Sequence, residues 1–163
     1  MAERSDIRVR PATPADLDAL IALNAVVQTL HVRLEPDIFK AEVDAVALRA
    51  FFADLIGKAA TGLLIAERSA EPVGYLWYDL QDRPPTVLTH ARRRIYVHHV
   101  AVCETMRRSG VATALLRAVA GEATARNVDC LVLDAWTRNT EALRFFQACG
   151  FQPFKIVLAK ALS

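Results

Sequence analysis

Cysteine, glycine and net charge are all scarce in this chain, and each scarcity excludes something. Three cysteines, Cys103, Cys130 and Cys149, cannot all pair with one another, and their spacing matches no zinc pattern. They read as reduced thiols, with Cys130 and Cys149 as small buried apolar residues. A net charge of +2 is far from the basic balance of a typical nucleic-acid binder. Fully apolar runs last only a few residues, so no segment is expected to span a bilayer. Residues 1–6 are short and polar, and no apolar signal core follows them, which makes cytoplasmic location the expectation. Repeats, low-complexity tracts and linkers are missing too. One domain over residues 1–163 is therefore expected, long enough to bury a sizeable core.

What is present is a mixture of strand and helix patterns from end to end, which points to an α/β or α+β domain. Ile7, Val9 and Pro11 alternate with Arg8 and Arg10, as in a half-buried strand. Thr13, Pro14 and Asp16 form a helix start with capping-box chemistry, and Leu17, Leu20 and Ile21 mark the apolar face of a helix that should end before Pro36. A second helix is predicted over residues 42–56, with Leu48, Phe51, Phe52 and Leu55 on one face and Gly57 as its C-cap. Residues 62–67 and 73–80 read as a hairpin, and residues 95–102 as a long strand. A helix over 111–126, a buried strand over 130–136, a helix between Asn139 and Gly150, and a closing strand over 151–162 complete the pattern.

The junction between the long strand and the third helix reads Arg107, Arg108, Ser109, Gly110, Val111, Ala112. The first N–H groups of a helix have no partner inside it and lie at the positive end of its dipole, so they can hold a phosphate. Gly110 lets backbone approach a ligand closely, and Ala112 keeps the next turn low. Other glycine-rich phosphate turns, G-x-G-x-x-G and G-x-x-x-x-G-K-[ST], do not occur here.

That junction, R-x-x-G-x-A, resembles the signature of the GNAT superfamily of acetyl-CoA-dependent N-acetyltransferases. A second stretch resembles it as well: Asn139, then Ala142, Phe145, Phe146, Gly150 and Phe151 in the pattern A-x-x-F-[YF]-x-x-x-G-F. The close match covers about a third of the chain, residues 95–151. The resemblance implies a mixed, V-split central sheet with helices on both faces. It implies acetyl-CoA as cosubstrate and an amine of a small molecule or peptide as acceptor, with a lysine or N-terminal amine of a protein as the alternative. By this resemblance the backbone N–H groups of Arg108, Ser109, Gly110, Val111, Ala112 and Thr113 hold the pyrophosphate, with charge added by Arg107 and Arg108. Val100, Ala101 and Val102 pair with the pantetheine arm like an added strand, and Asn139 touches that arm or caps the fourth helix.

Transfer from a thioester to an amine needs a base for the amine, donors for the oxyanion, and a leaving thiolate. His98 stands where many family members carry a carboxylate, two residues before Val100, and imidazole titrates in the right range for a base. His99 points to the opposite face if the strand is regular, and a bulge would change that parity. The family's usual acid is a Tyr at the position of Phe146, so this chain lacks it. A thiol with a pKa of about 8.5 can leave as thiolate; Tyr78, Tyr96 or water are the other candidates. The missing Tyr leaves a catalytically silent acyl-CoA-binding domain as a reading of a different class. No metal is expected, because adjacent strand residues such as His98 and His99 face opposite ways and no ligand spacing supports one. In the 31–39 segment, Glu35 or Asp37 could attract a cationic amine, while Phe39 is expected in the core. Of Trp77 and Tyr78, one should face the core and the other the cleft. The short tail after Phe151 leaves an incompletely closed sheet edge, which suggests a homodimer.

Overall fold

The alternating apolar pattern of the N-terminal half builds an antiparallel meander. In the computed structural model, which describes residues 6–162, strands β1 (Ile7–Pro11), β2 (Thr61–Arg68), β3 (Glu71–Arg83) and β4 (Arg92–Val102) pair in that order. Strand β5 (Leu131–Leu133) joins β4 in parallel. The β2–β3 hairpin turns at Ser69 and Ala70, both left-handed at φ 52° and 65°, which suits the twist of a tight hairpin.

Each face of the sheet carries helices. Helices α1 (Leu17–Leu34) and α2 (Ala45–Gly57) cover one face, where Leu20, Leu23, Phe52 and Leu55 pack on Leu63, Ile65, Tyr75 and Ala101. Helix α3 (Val111–Ala125) covers the other, where Val111, Leu115 and Val119 pack on Leu64, Ala66, Leu76 and Val97. Successive residues of β2 thus feed opposite cores, as the two-residue period requires. Burying a side chain such as Leu20 or Leu115 contributes roughly 1.5–3 kcal/mol each. Helix α4 (Thr140–Ala148) lays Phe145 and Phe146 against the α3-side core.

Local chemistry sets the helix ends. Asp16 accepts the Thr13 amide at 2.7 Å and pairs with Arg10 at 2.8 Å, which holds the entry to α1 against β1. The Asp44 carboxylate accepts from the amides of Val46 and Ala47, so α2 begins at Ala45, later than the sequence pattern suggests. Gly57 is the last residue of α2 and not its left-handed cap; Lys58 follows in extended backbone.

Several expectations fail in instructive ways. Cys130 and Cys149 are exposed, because β5 is only three residues long and Cys130 lies just outside it. Residues 151–162 form no strand, and Phe154, Ile156, Val157, Leu158 and Leu162 are exposed. Period-two apolarity in a tail is not enough without a neighbour in register. Phe51 lies at the margin of the α2 face, against Trp77, with its partners Phe52 and Leu55 buried. One helix, Pro14–Leu34, is by length and composition long and apolar enough to cross a membrane, contrary to the reading from uninterrupted apolar runs. In this fold its Leu20 and Leu23 belong to the core.

The sheet splits at β4. Strand β5 pairs only with Ile95, Tyr96 and Val97. From His98 to Val102 the outer edge of β4 has no neighbouring strand among the described residues, while its inner edge stays paired to β3.

Candidate active site

The split opens a cleft of about 840 Å³ between the ends of α1, β4, β5 and the N-termini of α3 and α4. Val100, Ala101 and Val102 line it with the free edge of β4. An unpaired strand edge is a row of donors and acceptors that an extended, amide-bearing ligand can satisfy.

At one end lies the turn into α3. Arg107 is extended, Arg108 is left-handed at φ 62°, and Gly110 is left-handed at φ 88°. Ser109 ties the turn down by donating to the Met106 carbonyl at 2.6 Å. Among the described residues, the amide N–H groups of Arg108, Ser109, Gly110, Val111, Ala112 and Thr113 have no partner. The first helical bond runs from Ala114 N to Gly110 O. Successive unpartnered amides in a turn with left-handed positions form an anion-binding concavity, here at the positive end of a 15-residue helix. A Cβ on Gly110 would meet nothing within 4 Å, so its φ, and not crowding, requires glycine. The Arg107 and Arg108 side chains are exposed at the same rim. This arrangement fits a pyrophosphate next to an extended arm.

Asn139 caps α4, its Oδ1 accepting from Ala142 N at 3.2 Å. The amide nitrogen of that side chain stays free on the cleft wall. Phe145 and Phe146 line the same wall, so the position of the family's usual acid carries no proton here.

The centre of the cleft holds two histidines. Tyr78 pairs with Val97 and Trp77 with His99, which leaves His98 as an extra residue in β4. This bulge turns both imidazoles to the α1/α2 face, correcting the alternation expected of a regular strand. His98 stacks on Trp77, with ring centroids 4.2 Å apart. Its Nε2 lies 2.8 Å from Asp79 Oδ2, and Thr61 Oγ1 donates to the other Asp79 oxygen at 3.1 Å. An ionised carboxylate only accepts, so Nε2 carries the hydrogen and Nδ1 keeps a free lone pair.

His99 has the opposite arrangement. Asn24 Nδ2 donates to Tyr75 Oη at 3.0 Å, and Tyr75 Oη lies 2.9 Å from His99 Nδ1. An amide NH₂ can only donate, so the phenol uses its one hydrogen on Nδ1. His99 therefore carries its hydrogen on Nε2, which has no protein partner among the described residues. Burial, then like-charge repulsion from His31 and His98 when those rings are protonated, pushes the His99 pKa down to about 4, so it is neutral near pH 7. Burial also lowers His31. The Trp77 indole N–H is buried without an acceptor.

Tyr78 is buried in the core against α3, away from the cleft, while Trp77 lies on the α1/α2 side with the histidines. The Tyr96 hydroxyl donates to Asp134, and burial together with that carboxylate pushes its pKa up to about 12. Tyr78 thus lies off the cleft lining, and the Tyr96 proton is committed to the Asp134 carboxylate. Phe39 is not a core residue: it rests on His31 and Trp136 and lines the cleft. Glu35 faces Arg138 at 3.7 Å, and Asp37 is exposed. The arginines at the start of β4 are tied down locally, Arg93 to the Arg126 carbonyl and Arg94 to Gln81. Among the described residues, no group of three His, Cys, Asp or Glu side chains is placed to hold a metal. Sequence reasoning missed Asp79, Asn24, Tyr75 and Asp134, whose roles depend on contacts across the sheet.

Comparison with curated proteins returns no match. Solved structures do match, at low identity. A tetramutant BH1408 protein of Bacillus halodurans superposes with a TM-score of 0.87 at 23% identity, over 95% of this chain and 99% of that one. The aminoglycoside N-acetyltransferase AAC(6')-Iy in complex with CoA gives 0.75 at 17%, over 96% and 94%. A predicted acetyltransferase with acetyl-CoA from Clostridium acetobutylicum gives 0.69 at 21%, over 95% and 96%. These likenesses establish the fold. The sequence profile of the acetyltransferase (GNAT) family matches residues 27–151, which include the split strand, the amide turn and the capped fourth helix. With most of its length under that profile, the chain belongs to the acetyltransferase (GNAT) family.

Proposed function

We propose that this protein transfers an acetyl group from acetyl-CoA to a primary amine of a small molecule or peptide. One observation carries the reading: the free edge of β4, the amide turn of α3 and His98, backed by Asp79, all line the same cleft. Residues 108–113 hold the pyrophosphate through their amides, with Arg107 and Arg108 beside it. Val100, Ala101 and Val102 pair with the pantetheine arm, and Asn139 presents its free amide nitrogen to it.

His98 Nδ1 takes a proton from the amine, directly or through a water, as the amine nitrogen bonds to the acetyl carbon. Asp79 fixes the tautomer that makes this possible and stabilises the imidazolium that results. His99 Nε2–H donates a hydrogen bond, not a proton, to the charge that develops on the thioester. The carbon–sulfur bond then breaks. The sulfur leaves as thiolate and gains its proton from the imidazolium or from water, which needs no tyrosine at position 146.

The test is thiol release from acetyl-CoA across a panel of amines, with CoA affinity measured alongside. His98→Ala should lower kcat by about 10²–10⁴-fold with the CoA Kd retained. Tight CoA binding without turnover of any amine would defeat the enzyme reading in favour of a silent acyl-CoA-binding domain, which Phe146 on the cleft wall favours.

A further inference from the structure

We infer that the acceptor is a primary amine on a flat, aromatic body, docked between Phe39, His31 and Trp136, which arrives as a monocation on Asp134 and loses one proton to solvent before its neutral nitrogen attacks. This rests on the reading of the cleft as an amine-acetylating site. Past the two catalytic-strand histidines, one wall of the cleft is built from rings. His31 lies 4.6 Å from Phe39, and Trp136 meets Phe39 edge-on at 5.6 Å and 82°. His31 meets His99 edge-on at 6.2 Å. All four rings are half-buried and line the cleft. The edge-on Phe39–Trp136 and His31–His99 pairs offer an aromatic guest further offset or edge-to-face partners.

Asp134 supplies the charge. It is exposed on the cleft, and the Tyr96 hydroxyl engages only its Oδ2. Its field reaches both His31 and His99. His99, its pKa pushed down to about 4, is neutral near pH 7 and does not repel a cation, burial lowers His31 as well, and the surrounding rings attract a cation.

The charge balance suits one ammonium better than several. Apart from Arg107 and Arg108, which are assigned to the pyrophosphate, the charged lining of the cleft is Asp134 and Glu141 with Arg33 and Arg138. Glu35 is turned to Arg138. Three carboxylates against two guanidiniums leave one uncompensated negative charge, so a second or third ammonium would find the remaining carboxylates matched in number by guanidiniums.

The experiment measures kcat/KM with acetyl-CoA for phenethylamine, tryptamine, butylamine, spermidine and kanamycin. Phenethylamine and tryptamine should exceed butylamine by about 10-fold or more, the scale of one desolvated cation–π or stacking contact. Spermidine and kanamycin should rank last. Trp136→Ala, and the milder Phe39→Leu, should raise KM for the aromatic amines about 10-fold with the CoA Kd unchanged, which also shows that the variants fold. Asp134→Asn should raise KM for every amine. A polycation ranking first, or aromatic-amine KM unmoved in both ring variants, overturns the acceptor assignment and leaves acetyl transfer intact. Tight CoA binding with no amine turned over defeats the acetyl-transfer reading, and the acceptor assignment with it.

Discussion

Replacing Tyr75 by Phe removes one oxygen from the centre of the molecule and tests the hydrogen-bond chain behind His99. The ring stays where it is: Tyr75 is fully buried and meets Phe52 edge-on at 5.8 Å. Two hydrogen bonds vanish, one from Asn24 and one to His99 Nδ1. Each contributes about 1 kcal/mol net, and the Asn24 amide, itself buried, is left with an unpaired donor at about 1–3 kcal/mol. The sum is about 3–5 kcal/mol, or a Tm lowered by about 6–20 °C in a chain of this length. Asn24→Leu in the same background removes the orphaned donor and should recover part of the loss. The double-mutant cycle should then show at least about 1 kcal/mol of coupling. Denaturant unfolding measures the cycle, and two-bond ¹H–¹⁵N spectra of the imidazoles read the tautomer. Wild-type His99 should show a bare Nδ1 and a protonated Nε2 near pH 7. Additive effects of the two substitutions, or an Nδ1–H tautomer in the wild type, would refute the chain and the donor role assigned to His99.

Acid should unfold the protein in two steps. The lowered pKa of His99 gives stability that is complete above about 6.5 and lost as pH falls toward 4; His99→Gln should flatten that step in denaturant midpoints taken across pH. Asp16, held down to about 2 chiefly by the hydrogen-bonded Arg10 guanidinium, contributes about 2 kcal/mol that is present above about 4 and lost between 4 and 2; Asp16→Asn should remove that lower step. Gly110→Val forces a branched residue to φ 88° but meets no crowding, so unfolding should cost only about 1–2 kcal/mol while calorimetry shows CoA binding lost; retained affinity would undo the pyrophosphate assignment. Gly74→Ala is the converse, because its Cβ would lie 2.8 Å from the Ala101 carbonyl oxygen and 2.8 Å from Val111 Cγ1; about 1–3 kcal/mol of stability should be lost, seen in thermal melts.

What the sequence made legible was local. The Thr13–Asp16 helix start, the hairpin at Ser69 and Ala70, the turn into α3 and the Asn139 cap each depend on residues within a few positions of one another. The cap at Asp44 obeys the same rule, two residues after the predicted start at residue 42. What stayed hidden depends on long range. Asn24 and Tyr75 are 51 residues apart, and His98 and Asp79 are 19 apart on adjacent strands. The exposure of Cys130 and Cys149 follows from where β5 stops, which apolar composition does not specify. The unpaired tail shows the same limit: a strand needs a partner in register, and residues 151–162 find none among the described residues.

The bulge in β4, at His98, follows directly on Val97, the last residue paired with β5, and that adjacency links binding to chemistry. Had β4 run regularly, His98 and His99 would face opposite cores, and only one imidazole could reach the cleft. The extra residue adds local twist and bend, which is also what carries β4 away from β5 after Val97. One irregularity therefore frees the edge along which an extended ligand can pair and brings two imidazoles to that edge. Their partners then divide the roles. A carboxylate behind His98 demands a hydrogen and leaves a lone pair forward, while a phenol behind His99 supplies a hydrogen and leaves an N–H forward. Under the proposed reaction, a base and a donor so placed would need no tyrosine from α4, and Phe146 would then be compatible with acetyl transfer.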